Sequence, residues 1–439
     1  MKRTLLRFGA VLSLAGFAVA GFALSAPRGA TAAPVAASTI PAQSNSCNTE
    51  GSPLDEFGAT VNQLGEAAYS GSFAGTMISG CNLSIFIVEN SNTAAFLQAV
   101  SSADSSEVPY TTTQVTTSWA AMAGLTSTLA SAYSTITAEG VSLRGWGPNP
   151  ATDSVLVTLS APTSTQIAQL ASTLRSAVAP PGITTAVSGA NYQQLAGQVL
   201  EASYGPGLSI AGAYGAPLTF MDSTCNDRYN DCSPFLGGDQ ISHPVGGGVY
   251  TECTGGFGVS GNASGHDFML TAGHCGTTSA WDLTGDDVDM GSTATNYFQD
   301  SQHDDFETIY TLPHGSSSAG EGVWGNDGAS FIIAGTEIPA QGSKMTFDGS
   351  VTGEVRGASV GDNDLCQVVG GIETCHLIEG TDSNTICQGG DSGGPVYVHI
   401  DDTGTVNAVG EIDLGSSTDC YAFEIGEAES SSNTTILSE

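Results

Sequence analysis

Two short segments carry residues whose types and spacing suit one kind of chemistry. Leu270-Thr271-Ala272-Gly273-His274-Cys275 reads as a strand running into a small-residue turn that presents a histidine. Gly389-Gly390-Asp391-Ser392-Gly393-Gly394-Pro395 holds a serine in a glycine-rich turn ahead of another strand. A serine hydroxyl is a weak nucleophile until a nearby imidazole takes its proton. The imidazole needs a buried carboxylate to set its tautomer and stabilise its charged form. Main-chain N–H groups must also face the developing oxyanion, and glycine lets the backbone come that close. Singly, a histidine before a cysteine is usually structural and Gly-Asp-Ser-Gly is usually a turn. Together, 118 residues apart in one β-rich stretch, they point to acyl transfer.

The stretch that must position them reads as all-β. Short runs such as Phe268–Thr271, Phe331–Ile333 and Val396–Val398 alternate with Gly, Asp and Ser turns, the pattern of an antiparallel sandwich or barrel. The 57 glycines and a charged share of only 12% in 439 residues fit many turns and argue against coiled coils. Residues before 222 differ. They hold no histidine, and Leu83–Val88 and Val155–Leu159 read as strands beside helical stretches over Ser118–Glu139 and Thr165–Ala177, a mixed α/β pattern without a catalytic constellation. The Gly/Pro/Tyr-rich segment 204–217 reads as a linker, placing a boundary within 200–224.

Charge separates the two parts further. Of 44 acidic residues 34 follow residue 221, against three basic ones, so the second part is near −31. That field repels phosphate and excludes nucleic acid as a partner. At the amino terminus, Lys2, Arg3 and Arg7 precede an apolar run over 8–24, and Ala30-Thr31-Ala32 supplies a small-x-small cleavage site. Residues 1–32 therefore read as a signal peptide, with a secreted, extracellular product and no lasting membrane anchor. Ten cysteines, an even number, suit disulfides in that compartment. Zinc is disfavoured because neither Cys-x-x-Cys nor His-x-x-x-His occurs, so no metal or cofactor is expected.

Over most of residues 234–439 the chain resembles chymotrypsin-fold serine proteases of the bacterial streptogrisin and α-lytic protease group. The resemblance rests on Pro234–Asp239, both segments above and the Ala408-Val409-Gly410 strand. Residues 33–221, notably Ser72–Gly75 and Pro150–Val155, resemble that group's pro-region. The resemblance implies two six-stranded antiparallel β-barrels over 222–439, with the site between them. It implies a monomeric endopeptidase acting on proteins or peptides, and a pro-region that assists folding, inhibits, and is removed. In Gln302–Tyr310 it aligns Asp305 with the catalytic aspartate, beside His274 and Ser392, and Asp304 with an asparagine, otherwise a solvated turn carboxylate. It assigns the oxyanion hole to the N–H groups of Gly390 and Ser392. It matches Cys253–Cys275 and Cys387–Cys420 to family bridges; proximity alone suggests Cys366–Cys375, Cys225–Cys232 and Cys47–Cys81.

Three departures stand out. The arginine that accompanies Asp391 in the group is missing before Gly349-Ser350-Val351-Thr352-Gly353, leaving Arg356, Lys344, Arg228 or a new amino terminus as substitutes. Thr385 occupies the position where a trypsin-like pocket carries aspartate, and Asp413, Leu414 and Gly415 replace the Ser-Gly-Gly pocket wall, so an apolar or aromatic P1 residue is expected. Asp286-Asp287-Val288-Asp289 offers oxygen ligands without calcium-loop spacing and reads as a solvated acidic turn. The competing function is a catalytically weak secreted homologue that binds peptides or surfaces.

Overall fold

Ser52 and Pro53 begin the first helix by local chemistry. The Ser52 side chain accepts from Asp55 N at 3.3 Å, proline fills a position that needs no N–H, and Asp55 and Glu56 face the positive helix end. The computed structural model describes residues 48–104, 108–138, 140–141, 143–159, 227–246, 249–284, 288–298, 303–315, 317–326, 330–369, 372–400 and 404–438. The segments expected as a signal peptide, as a helix over 165–177 and as a linker, together with Cys47, Cys225, Asp286 and Asp287, lie outside these residues.

The amino-terminal part is mixed α/β. Helix α1 (Pro53–Tyr69) buries Leu54, Phe57 and Val61 against β1 (Phe73–Ser79) and β2 (Asn82–Ile87), which pair antiparallel. Helix α2 (Thr93–Ala103) carries the chain over to β3 (Tyr110–Gln114), parallel to β2. Helix α3 (Trp119–Ala138) then packs on a hairpin of β4 (Leu143–Asn149) and β5 (Ser154–Leu159). The helix and strands expected over 118–139, 83–88 and 155–159 thus form within a residue or two of their expected bounds.

The carboxy-terminal part is nearly all strand: β6 (Phe235–Gly237), β7 (Gln240–Gly246), β8 (Val249–Thr254), β9 (Gly258–Gly261), β10 (Asp267–Thr271), β11 (Trp281–Leu283), β12 (Asp289–Asn296) and β13 (Glu307–Thr311) come first. They are followed by β14 (Ala319–Trp324), β15 (Ser330–Thr336), β16 (Lys344–Gly349), β17 (Gly353–Val360), β18 (Leu365–Val369) and β19 (Ile372–Thr381). Strands β20 (Pro395–His399), β21 (Thr405–Gly415) and β22 (Asp419–Glu424), helix α4 (Ile425–Ser432) and β23 (Thr434–Ile436) complete it.

Two sheets result. One has eight strands in the order β23-β9-β10-β13-β12-β11-β7-β8. The other has twelve, running β5-β4-β18-β19-β17-β16-β20-β21-β15-β14-β6 with β22 bonded to β19 and β21. Pairing is antiparallel apart from β6 with β14 and β15 with β21. The first sheet includes β23 from the carboxy terminus, and the second includes β4 and β5 from the amino-terminal part. Met269, Trp281 and Ile309 fill the first sheet's core, while Phe347, Ile378 and Val396 fill the second's. Between them, Leu270 and Phe306 meet Tyr397, Tyr421 and Phe423 in a shared apolar seam. Burial of these large side chains is worth roughly 1.5–3 kcal/mol each.

The two parts share the second sheet. Trp146 and Gly145 on β4 stand opposite Cys366 and Gln367 on β18. Trp146 is buried and donates from Nε1 to Thr126 O at 3.1 Å. Bridges join Cys253 to Cys275, Cys366 to Cys375 and Cys387 to Cys420, as expected. Cys81 and Cys232 are also disulfide-bonded. Among the described residues, no helix is long and apolar enough to cross a membrane.

Candidate active site

Strand β10 ends at Thr271, and a single 3₁₀ turn over Gly273–Cys275 turns His274 toward the seam. The Cys253–Cys275 bridge ties this turn to the end of β8. Gly273 leaves room for the aspartate loop, since a Cβ there would come within 3.1 Å of Asp305 Oδ1. Asp305 precedes β13, and the next residue, Phe306, stacks between Tyr297 and Phe423 and so anchors the loop. Ser392 precedes β20 in the glycine turn.

These three side chains meet. His274 N donates to Asp305 Oδ1 at 2.7 Å, and His274 Nδ1 lies 3.0 Å from Asp305 Oδ2. Its other nitrogen, Nε2, lies 2.9 Å from Ser392 Oγ. In the tautomer with the proton on Nδ1, Asp305 accepts from the ring and Nε2 is free to accept from the serine. Asp304 does not join them and is not the solvated carboxylate expected. It is buried and accepts from Ser431 Oγ of α4 at 2.9 Å.

The serine turn is held from both sheets. Thr254 N donates to Ser392 O at 2.8 Å, and Gly393 N donates to Ile412 O at 2.6 Å. Gly390 and Gly393 adopt φ of +98° and +87°, which side chains with a Cβ disfavour. The turn's own bonds run from Asp391 N to Gln388 O and from Gly394 N to Asp391 O. Among the described residues, no cation pairs with Asp391. Its carboxylate accepts from Val351 N at 2.8 Å, Thr352 N at 2.9 Å, Gln388 N at 2.8 Å and the Thr352 hydroxyl. A Cβ on Gly349 would fall 2.1 Å from Asp391 Cγ, so glycine there lets the two turns approach.

Of the suggested substitutes for the missing arginine, Arg228 comes nearest in role. It pairs with Asp348 at 3.0 Å and donates to Gly349 O at 3.0 Å and Gly325 O at 3.2 Å. Arg228 thus clamps the strand end that carries the turn, rather than Asp391 itself. Arg356 pairs instead with Glu354, and Lys344 donates to Ser359.

A cleft of about 370 Å³ opens beside Ser392, and Thr385, Asp413, Leu414 and Gly415 all line it. Phe298, Ile372 and Thr374 line it too, although no motif marks them. The Asp413 carboxylate, read from sequence as pocket wall, also faces the imidazole: Oδ1 lies 3.3 Å from His274 Nδ1, with the side chain 1% exposed. Two residues back, Glu411 is equally buried. Two acids alternating in the otherwise apolar stretch from Ala408 to Leu414 are the signal that could have found this pair. Burial depresses the His274 pKa, but Asp305 and then Asp413 reverse this and push it up to about 10. Burial, followed by Asp305, pushes Asp413 well up.

Atoms of His274, Asp305 and Asp413 that could ligate a metal lie within 4.8 Å of one another. Cys366, Cys375 and Glu373 cluster likewise, but those sulfurs form a disulfide.

No protein-family model matches the sequence, and no curated protein matches it. Solved structures do. Thermobifida fusca protease A is 20% identical, covering 47% of this chain and 99% of that one, with a TM-score of 0.38. Nocardiopsis protease is 20% identical over 46% of this chain and 99% of its own, with a TM-score of 0.38. Cellulomonas bogoriensis chymotrypsin is 21% identical over 46% and 98%, with a TM-score of 0.36. The likeness covers the carboxy-terminal part and is to bacterial chymotrypsin-fold serine proteases.

Proposed function

We propose that the chain is a secreted serine endopeptidase, made as a pro-enzyme whose amino-terminal part assists folding and acts as an inhibitor. The observation that carries this reading is the bonded series Asp305–His274–Ser392, at 3.0 and 2.9 Å, on the edge of an open cleft. Ser392 Oγ attacks the scissile carbonyl as His274 Nε2 takes its proton. Asp305 holds the imidazole tautomer and stabilises the imidazolium. The oxyanion falls to Gly390 N and Ser392 N, whose turn is rigidly held by the bonds on Asp391. His274 then protonates the leaving amine, and water hydrolyses the acyl-enzyme by the reverse route. Leu414 and Ile372 in the cleft support an apolar or aromatic P1 side chain.

The test is labelling of secreted material with a phosphonofluoridate, followed by mass spectrometry of the labelled peptide and of the mature amino terminus. A single adduct on Ser392 and a start between residues 200 and 224 are expected. Failure to label, or an adduct elsewhere, would leave the binding homologue as the better reading.

A further inference from the structure

Two carboxylates face the imidazole where one would serve. Asp413 on β21 places Oδ1 3.3 Å from His274 Nδ1, beside the 3.0 Å contact of Asp305. One oxygen of each carboxylate and the ring nitrogen fall within 4.8 Å of one another. Both acids are buried, and among the described residues neither Asp413 oxygen has a well-aligned hydrogen-bond donor. The titratable groups facing Asp413 are His274 from its turn, Asp305 from the loop before β13, and Glu411 from its own strand. Arg228, Arg356 and Lys344 are engaged elsewhere, and among the described residues no lysine or arginine pairs with either acid.

Two anions this close in a dry site repel strongly, and a single proton relieves them. That proton can reside on His274 or on Asp413 without changing the total charge. On His274 it would leave an imidazolium between two carboxylates, held up at about 10 and unable to accept the serine proton at neutral pH. On Asp413 it neutralises a buried acid that has no cationic partner, and it gives Asp305 a donor. We propose that Asp413 is a positioning residue that keeps its proton and donates it to Asp305, fixing the carboxylate that orients His274. The inference rests on the serine endopeptidase reading. It explains why an acid stands at a strand position where a hydroxyl would do the same work: protonated, it is a hydroxyl.

The experiment compares Asp413→Asn, Asp413→Ser and Asp413→Ala in the full chain after maturation. It follows kcat and KM on a chromogenic peptide, the acid limb of kcat/KM, and the His274 titration by NMR in a Ser392→Ala background. Asn and Ser, which can donate, are expected to hold kcat within about tenfold, the worth of one hydrogen bond. Ala is expected to lower kcat about 10²-fold through misplacement of the base, with little change in KM. The His274 pKa should be the same in the parent and in Asp413→Asn. An ionised Asp413 would instead make that substitution lower the pKa by about 1–3 units, and this result overturns the proposal. Equal loss in Asn, Ser and Ala also overturns it. If the alanine protein does not fold, the Asn titration alone decides. Turnover by Ser392→Ala protein would sink the endopeptidase reading itself, a distinguishable failure.

Discussion

Ser392, His274 and Asp305 act as one unit in the proposed chemistry, so their removal should not be additive. Ser392→Ala and His274→Ala are each expected to cost on the order of 10⁶ in kcat, by analogy with the handful of triads dissected this way. Asp305→Asn should cost about 10⁴ through the wrong imidazole tautomer. Asp304→Asn should cost far less, because Asp304 bonds α4 rather than the histidine. Steady-state kinetics on one peptide substrate rank the four, and a larger loss at Asp304 would reassign the acid. A second expectation concerns the serine turn. Thr352→Val removes one of four donors to Asp391, a buried carboxylate, and should cost about 1–3 kcal/mol of stability. Gly349→Ala forces a Cβ against Asp391 and should lower kcat more than it raises KM, since it moves the turn and not the cleft. Unchanged kcat in well-folded Gly349→Ala protein would show that the turn tolerates displacement.

Strand β4 meets β18 edge to edge, so the amino-terminal part contributes main-chain pairing as well as side-chain packing. Gly145 permits that approach: a Cβ there would meet Cys366 O at 2.8 Å and the Gln367 side chain at 2.7 Å. Gly145→Val should therefore undock the β4–β5 hairpin while leaving β18–β19 stapled by Cys366–Cys375. Faster amide exchange across β18 in the full chain is the expected readout, and unchanged protection would show that the pairing is dispensable. The fold's other elements are joined largely by contacts distant in sequence, a topology that folds slowly. Residues 222–439 expressed alone should accordingly give little active enzyme, and residues 33–221 added in trans should raise the yield. Efficient refolding of the shorter chain by itself would reduce the first part to an inhibitor or spacer.

Acidic groups dominate the molecule's response to pH. Burial, with Glu337 nearby, pushes Asp55 up to about 8; burial, with Asp364 nearby, pushes Glu424 up to about 8. Burial likewise raises Glu337 and Asp362 to about 7. Each such group titrates near 4 in an unfolded chain, so the folded state binds protons that the unfolded state has released. Stability is then full below about pH 4 and declines toward pH 7–8, by up to about 1.4 kcal/mol per pH unit per group. Glu354 acts in the opposite sense. Burial would raise it, but His399, Asn326 and Arg356 together lower it to about 2, so its contribution is present above pH 4.5 and lost on further acidification. Thermal melting should consequently be highest near pH 4–5 and fall by pH 8, and Glu424→Gln should raise the melting temperature at pH 8 but not at pH 4. Added salt should also help at pH 8 by screening surface acids over about 8–10 Å. A melting temperature that rises steadily from pH 5 to pH 8 would show these acids are paired in their charged forms.

Local chemistry made much of this readable from the sequence. The glycine turn around Ser392 and the strand-to-turn step at His274 are specified by residues adjacent in the chain, and short apolar runs between Gly, Asp and Ser turns mark β10, β15 and β20 for the same reason. The bridges at Cys253 and Cys387 are those the resemblance implies, and the one at Cys366 is the one that nearness in sequence suggests. What sequence alone left open depends on which strands come to lie side by side. That Asp413 of the cleft wall also faces His274 shows only once β21 is packed behind the imidazole, and Asp304 reads as solvated until α4 covers it. The support of Asp391 by Val351 and Thr352, and of the neighbouring strand end by Arg228, likewise joins residues that are 39 to 121 positions apart. Such contacts carry no local pattern, because a side chain's protonation and partner are set by what the tertiary fold brings against it and how completely it excludes water.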